Sequence, residues 1–144
     1  MNAADVSGYL ALAERTRWTM GILATAAQPH EPNHTARDWL LTMHFYVLVH
    51  YLNALAATKG RRFTRHEDRH AWVRSESDLR TIAADYFAIE GWSRDARYEG
   101  VLVRDFDDLH VAFRRVRDHL VGLLRRAAVP GLRIPSVEPV DFLA

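Results

Sequence analysis

Residues 38–60 read DWLLTMHFYVLVHYLNALAATKG, an apolar run with few polar interruptions. Thr35 and Asp38 stand three positions apart at its start, a spacing typical of a box that caps a helix N-terminus. Gly60 ends the run, and glycine readily adopts the left-handed conformation that follows a helix C-terminus. The pattern predicts a long helix at the centre of the fold. Its internal histidines and asparagine indicate a buried helix rather than a membrane span.

Helical patterns continue on both sides of this central helix, and no strand is predicted. Boxes of capping type begin at Thr64 and Ser75, and Pro130-Gly131 ends the last helix. The four further helices are expected at about 4–27, 64–74, 76–97, and from 105 or 107 to 128. Four of the five helices are then long, and long helices of similar length with short connections pack antiparallel. The predicted fold is all-α, an up-down helical bundle of four long helices and one short helix.

The length of 144 residues corresponds to one domain, with a bundle over 1–129 and an extended, proline-containing tail over 130–144. The tail is expected to pack either on the bundle or on a partner. The absence of cysteine excludes a disulfide framework and a thiolate metal site, and it fits a cytoplasmic protein. The N-terminal residues show no secretion signal.

The basic residues are almost all arginine, with Lys59 as the one lysine, although the net charge is only +1. Arginine binds phosphate through two parallel hydrogen bonds, so the composition is compatible with contact to nucleic acid. A GC-rich genome produces the same composition through codon bias. The tryptophans at helical positions, 18, 39, 72 and 92, are expected in the core or an interface rather than as base-stacking platforms. In the first helix, Leu10, Ala13, Trp18 and Leu23 are expected on the inner face.

The order of motifs from 38 to 98 resembles the HEPN superfamily of small all-helical proteins, many of which cut or bind RNA. The resemblance is carried by Phe45-Tyr46 and His50 followed by alanines and Lys59-Gly60, by His66 in a short helix, and by SRDARY at 93–98. It implies an RNA or nucleotide partner, a homodimer, an antitoxin partner protein, and a toxin–antitoxin or phage-defence context. It implies no metal and no other cofactor, and no membrane partner.

Catalytic HEPN proteins carry an arginine, usually followed by a polar residue, and a histidine a few positions further on. The arginine neutralises phosphate charge and the histidine transfers protons. Here Arg94-Asp95 begins such a motif, but Glu99, Gly100 and Val101 occupy the positions expected for histidine. The substitute is Arg104-Asp105 with His110, at the start of the last helix, where free N–H groups favour an anion. The predicted catalytic residues are therefore Arg104, His110 and Arg94, with Arg97 and Tyr98 positioning phosphate.

A second predicted set is a shared polar site, which the resemblance places around His50. Its members are His50, Asn53, His66, Arg69, Ser93, Arg97 and Tyr98. The alternative is that His50 is a buried histidine with a structural role.

Two other functions stay open. His66-Glu67-x-x-His70 matches a zinc-hydrolase pattern in which both histidines bind metal and Glu67 is the base, with Glu76 or Glu90 as a third ligand. The charged neighbours of this motif favour a structural role instead. The missing histidine after Arg94 favours a non-catalytic module that binds a nucleotide, nucleic acid or protein, or that mediates dimerisation.

Overall fold

The computed structural model describes residues 2–26, 35–99 and 106–141, with the side chains of 35, 36 and 99 excepted. Within these ranges the chain is all-α, without strands, and its helices pack together, as predicted. The five α-helices are α1 (Ala3–Ala26), α2 (Thr35–Thr58), α3 (His66–Ser75), α4 (Ala83–Arg94) and α5 (Asp107–Arg126).

Helix α2 is the central element, since it contacts α1, α4 and α5. Its side chains from Leu40 to Ala57 are mostly buried, which confirms the expected core helix. The segment Arg37–Thr58 is long and apolar enough to cross a membrane, but 78% of its most apolar window is buried inside the fold. Gly60 follows the helix with φ 71°, the left-handed conformation expected of it.

The predicted fourth helix over 76–97 is not one continuous α-helix. A 3-10 turn at Ser77–Leu79 precedes α4, and a π-helical turn at Asp95–Glu99 follows it. The predicted helix cannot begin at Glu76, because the backbone of this residue is extended, with φ −75° and ψ 122°. Its carboxylate accepts a hydrogen bond from Trp72 Nε1 at 3.1 Å and pairs with Lys59 at 3.3 Å. These contacts hold the chain at the point where α3 ends.

Two of the predicted capping boxes do not form. Ser75 is the last residue of α3, so it does not open the next helix. Arg65, rather than Thr64, is the N-cap residue of α3, and no side chain caps that terminus. The guanidinium of Arg65 instead pairs with Asp68 at 3.0 Å, one turn into the helix. At the other end of the chain, α5 begins at Asp107, one of the two predicted starts.

The described part of the C-terminal tail packs on the bundle, which was one of its two predicted positions. The Tyr51 hydroxyl donates to the Pro135 carbonyl and accepts from the Val137 N–H at 3.0 Å. Arg117 Nη1 donates to the Val137 carbonyl at 3.0 Å. Since these side chains are buried, the tail completes hydrogen bonds that the bundle alone would leave unmade.

One prediction for α1 is wrong. Leu10 and Ala13 are buried and Leu23 is half-buried, but Trp18 is 70% exposed. Trp39, in the first turns of α2, is also exposed, at 54%. Leu40 and Leu41 follow it and take the buried positions, which leaves Trp39 on the outer face of the helix.

Candidate functional site

Polar side chains from three helices meet at one cluster, which we call the Arg69 cluster. Within each helix, the residues that contribute to the cluster lie on one face and span about one to three turns. Helix α2 contributes His50 and Asn53, α3 contributes His66, Arg69 and His70, and α4 with its π-helical extension contributes Tyr86, Glu90 and Arg97. The cluster contains most of the second predicted set of site residues.

Arg69 is the central residue of the cluster and is only 6% exposed. Its Nε donates to Asn53 Oδ1 at 3.1 Å, and its Nη1 donates to His66 Nδ1 at 2.9 Å. Among the described residues, no carboxylate lies within ion-pair distance of this guanidinium. A buried cation whose contacts are only neutral is costly, so the arrangement favours an anionic ligand.

The Arg69 contact fixes which nitrogen of His66 carries the proton. A guanidinium can only donate, so Nδ1 is the acceptor and Nε2 carries the hydrogen. Burial lowers the pKa of His66, and the charges of Arg69 and Arg97 lower it further, while Glu67 and Glu90 oppose them. His66 is therefore a neutral donor at its exposed edge.

His50 and His70 each present a buried ring nitrogen without a hydrogen-bond partner in the described part of the chain, Nδ1 in His50 and Nε2 in His70. Burial, and next the charge of Arg69, lowers the pKa of His50 to about 4. Burial also lowers the pKa of His70, whose ring packs edge-on against Tyr86 and Phe87 with centroids 5.9 and 5.5 Å away. Both imidazoles are thus neutral at physiological pH and have unused hydrogen-bonding capacity.

Other members of the predicted set are placed around the cluster with different roles. Ser93 is buried and its hydroxyl donates to Thr42 at 3.4 Å. Arg94 is exposed and pairs with Glu90 at 3.3 Å. Arg97 Nε donates to the Ser93 carbonyl at 3.2 Å, which leaves its terminal nitrogens without a hydrogen bond inside the described ranges. Arg97 is therefore the second cation available to a ligand beside Arg69.

The predicted catalytic pair is described only at its histidine. Arg104 lies outside the described residues. His110 is 9% exposed, and its Nε2 donates to the carbonyl of Val140 at 3.1 Å. The same Val140 donates its N–H to His44 Nε2 at 3.0 Å, so the two histidines bind both backbone polar groups of one tail residue. A catalytic role for His110 stays a prediction, and it requires the tail to leave this position.

Among the residues that the structure describes, the zinc alternative finds no third ligand. Within 2–26, 35–99 and 106–141, no group of three His, Asp or Glu side chains is placed to hold a metal ion. Glu76 is engaged by Lys59 and Trp72, and Glu90 by Arg94. The Nδ1 of His66 already accepts from a guanidinium.

A cleft beside the Arg69 cluster was not predicted from the sequence. It measures about 300 Å³ and is lined by Asp38, Trp39, Ala96, Arg97 and Tyr98. Tyr98 is 73% exposed, and the Arg97 guanidinium lies 5.1 Å from its ring centroid. The sequence carries no local signal for the exposure of Trp39, because the folded bundle decides which side chains of α2 are buried.

Comparison with known proteins gives no match to this chain, whether to a family model, to a curated protein or to a solved structure.

Proposed function

We propose that this protein is a HEPN-like up-down helical bundle that acts on RNA and receives a backbone phosphate at the Arg69 cluster. The observation that supports the proposal is the buried Arg69, whose hydrogen bonds within the described part of the chain go to neutral groups, Asn53 and His66. A phosphate supplies the negative charge that this guanidinium lacks, and arginine is well suited to bind it.

The neighbouring groups add to this preference. His66 Nε2 is a neutral donor, and Arg97 brings a second positive charge from the π-helical turn after α4. Glu67 and Glu90 are opposing carboxylates, and Glu90 is paired with Arg94. Because the net charge of the chain is only +1, the attraction is local rather than a property of the whole surface. Such a site fits a flexible single strand that can bring one phosphate into it.

The test compares Arg69→Gln with Arg65→Gln. Both residues are on α3, but Arg65 is exposed and paired with Asp68. We expect Arg69→Gln to weaken binding of a fluorescein-labelled single-stranded RNA by at least about tenfold, the loss of one charged hydrogen bond. Arg65→Gln should change affinity by less than about twofold. Equal affinities of the two variants would refute the assignment of Arg69, and absence of RNA binding by the wild type would refute the function.

Loss of folding must be separated from loss of the contact, because Arg69 also bonds Asn53 and His66. Arg69→Lys keeps the positive charge but loses the bidentate geometry. We expect Arg69→Lys to bind RNA with an affinity between those of wild type and Arg69→Gln. Circular dichroism and thermal melting of all variants establish that each is folded at the temperature of the binding assay.

The second candidate function is a metal-independent endoribonuclease, and the observation that favours it is the neutral imidazole of His50 beside Arg69. In this reaction the ribose 2′-oxygen attacks the adjacent phosphorus and loses its proton to a histidine. The P–O5′ bond breaks, the leaving 5′-oxygen takes a proton from water, and a 2′,3′-cyclic phosphate remains. An arginine stabilises the charge on the pentacoordinate phosphorus. The imidazole of His50 is unprotonated at neutral pH and so can accept the proton, but its pKa of about 4 makes it a weaker base than a histidine that titrates near pH 7.

Cleavage of total RNA in EDTA tests this reaction and separates the two candidate sets. EDTA-resistant cleavage that His50→Gln abolishes supports the Arg69 cluster as the catalytic site. Cleavage lost in His110→Ala but kept in His50→Gln supports the Arg104–His110 pair. RNA binding without cleavage supports the non-catalytic module.

The proposed setting is a cytoplasmic toxin–antitoxin or phage-defence system, with a homodimer and an antitoxin protein as partners. These partners follow from the resemblance to HEPN proteins. Light scattering during size-exclusion chromatography tests the dimer, since a mass near the 16.5 kDa of one chain would exclude it under the conditions used.

A further inference from the structure

We infer that the cleft between Trp39 and Tyr98 binds a nucleobase of single-stranded RNA next to the phosphate at the Arg69 cluster. The inference rests on the proposed function and extends it from the phosphate to the base. The two aromatic residues come from different elements, Trp39 from α2 and Tyr98 from the π-helical turn after α4. Together with Arg97 they line one cleft of about 300 Å³.

The exposure of the two rings is the first argument. Trp39 is 54% exposed and Tyr98 is 73% exposed, whereas the other described aromatic side chains, apart from Trp18, are buried or half-buried. Exposed aromatic residues that line a common cleft mark a binding surface more often than a solvated one. Aromatic side chains bind bases of any sequence, because every base has a π-face on which a ring can stack.

Arg97 supplies the second argument because it links the cleft to the Arg69 cluster. Its guanidinium lies 5.1 Å from the Tyr98 centroid, and its charge lowers the pKa of His66. The cleft is therefore apolar on its aromatic sides and carries the positive charge of Arg97, with the Asp38 carboxylate also in its lining. A nucleotide has the matching polarity, with an apolar base face and an anionic phosphate. An apolar side chain of a protein partner has no group that corresponds to this charge.

The π-helical turn supplies the third argument. The single π turn at Asp95–Glu99 directly follows α4 and carries both Arg97 and Tyr98. Turns of this kind occur frequently at functional sites. Arg97 Nε is held by the Ser93 carbonyl at 3.2 Å, so the turn fixes the guanidinium between the cleft and the Arg69 cluster.

The experiment compares Trp39→Ala with Trp18→Ala, since Trp18 is another exposed tryptophan and lines a different cleft with no shared residue. Two fluorescein-labelled probes of equal length are used, an oligoadenylate and an abasic ribose-phosphate oligomer. Trp39→Ala should weaken binding of oligoadenylate by at least about fivefold, as expected for the loss of one stacked base, and leave abasic binding unchanged. Trp39→Phe should retain most of the affinity, and Trp18→Ala should bind both probes as the wild type does.

Each other outcome overturns the inference in a distinguishable way. If Trp39→Ala and Trp18→Ala bind oligoadenylate equally well, the cleft does not bind a base, and the proposed function still stands. Equal weakening of both probes by Trp39→Ala would show a backbone contact instead. Conversion of a dimer into a monomer by Trp39→Ala would identify a subunit contact. If the wild type binds neither probe, the inference and the proposed function both fail.

Discussion

Replacement of His44 by glutamine should remove much of the acid sensitivity of folding. The His44 ring is fully buried, its Nδ1 donates to the Leu40 carbonyl at 2.8 Å, and its Nε2 accepts from the Val140 N–H at 3.0 Å. The Val140 contact requires the neutral ring, because a protonated ring could still donate to Leu40 but could not accept from Val140. Burial is the main reason that the pKa of His44 falls to about 4.

The direction of this pH dependence follows from the pKa of His44 in the folded and in the unfolded chain. The Leu40 hydrogen bond and Asp141 raise the pKa of His44, whereas His110 and Arg17 lower it, and burial outweighs them all. In the unfolded chain the group titrates near pH 6.5, so between that value and about pH 4 the unfolded state binds a proton that the folded state does not. The contribution to stability is therefore present above the unfolded pKa and is lost as the pH falls toward 4. From about pH 7.5 to pH 5 the loss is about 2 kcal/mol.

Urea unfolding of wild type and His44→Gln at these two pH values measures the effect. Other buried histidines, His50 among them, contribute to the pH dependence of both proteins, so the difference between the two proteins isolates His44. The variant should be less stable at neutral pH, since glutamine cannot reproduce both hydrogen bonds, but it should lose about 2 kcal/mol less on acidification. Equal losses in the two proteins would refute the assignment of a buried neutral His44.

Two further predictions concern the tail and the end of α2. Tyr51→Phe removes the hydroxyl that bonds Pro135 and Val137. We expect the free energy of unfolding, measured with urea, to fall by about 1–3 kcal/mol, and the tail to be cut faster by protease. Unchanged proteolysis would contradict the role of Tyr51 in docking the tail. Gly60→Ala should cost about 1–2 kcal/mol, because φ 71° is unfavourable for alanine although no atom blocks its Cβ. Gly8 lies in the interior of α1, where a Cβ also meets no other atom, so Gly8→Ala should instead stabilise the fold by about 0.5–1 kcal/mol. Thermal melts in which both variants shift the melting temperature in the same direction would contradict this explanation.

The sequence predicted those elements that depend on local patterns. The apolar run and Gly60 determine α2 and its end, and Asp107 is the observed start of α5. The break at Glu76 could not be predicted, because it depends on contacts with Lys59 and Trp72 that form only in the folded chain. The π-helical turn likewise has no local sequence signature.

The candidate site was predictable in part, because some of its residues follow local patterns in the sequence. The spacing within α3 puts His66 and Arg69 on one face, and the resemblance to HEPN proteins placed His50 and Asn53 nearby. The burial of Arg69 and the exposure of Trp39 are properties of tertiary packing. They depend on which neighbouring side chains fill the core, and a single sequence does not contain that information.

The salt dependence of RNA affinity tests the central claim, that Arg69 binds a phosphate of single-stranded RNA, most directly. For a single strand, each phosphate contact increases the magnitude of the slope of log K, the binding constant, against log salt concentration by about 0.7, because bound counterions are released. The account predicts that Arg69→Gln reduces the magnitude of this slope by about 0.7, whereas Arg65→Gln leaves it unchanged. A folded Arg69→Gln protein with the slope and affinity of the wild type would contradict the account.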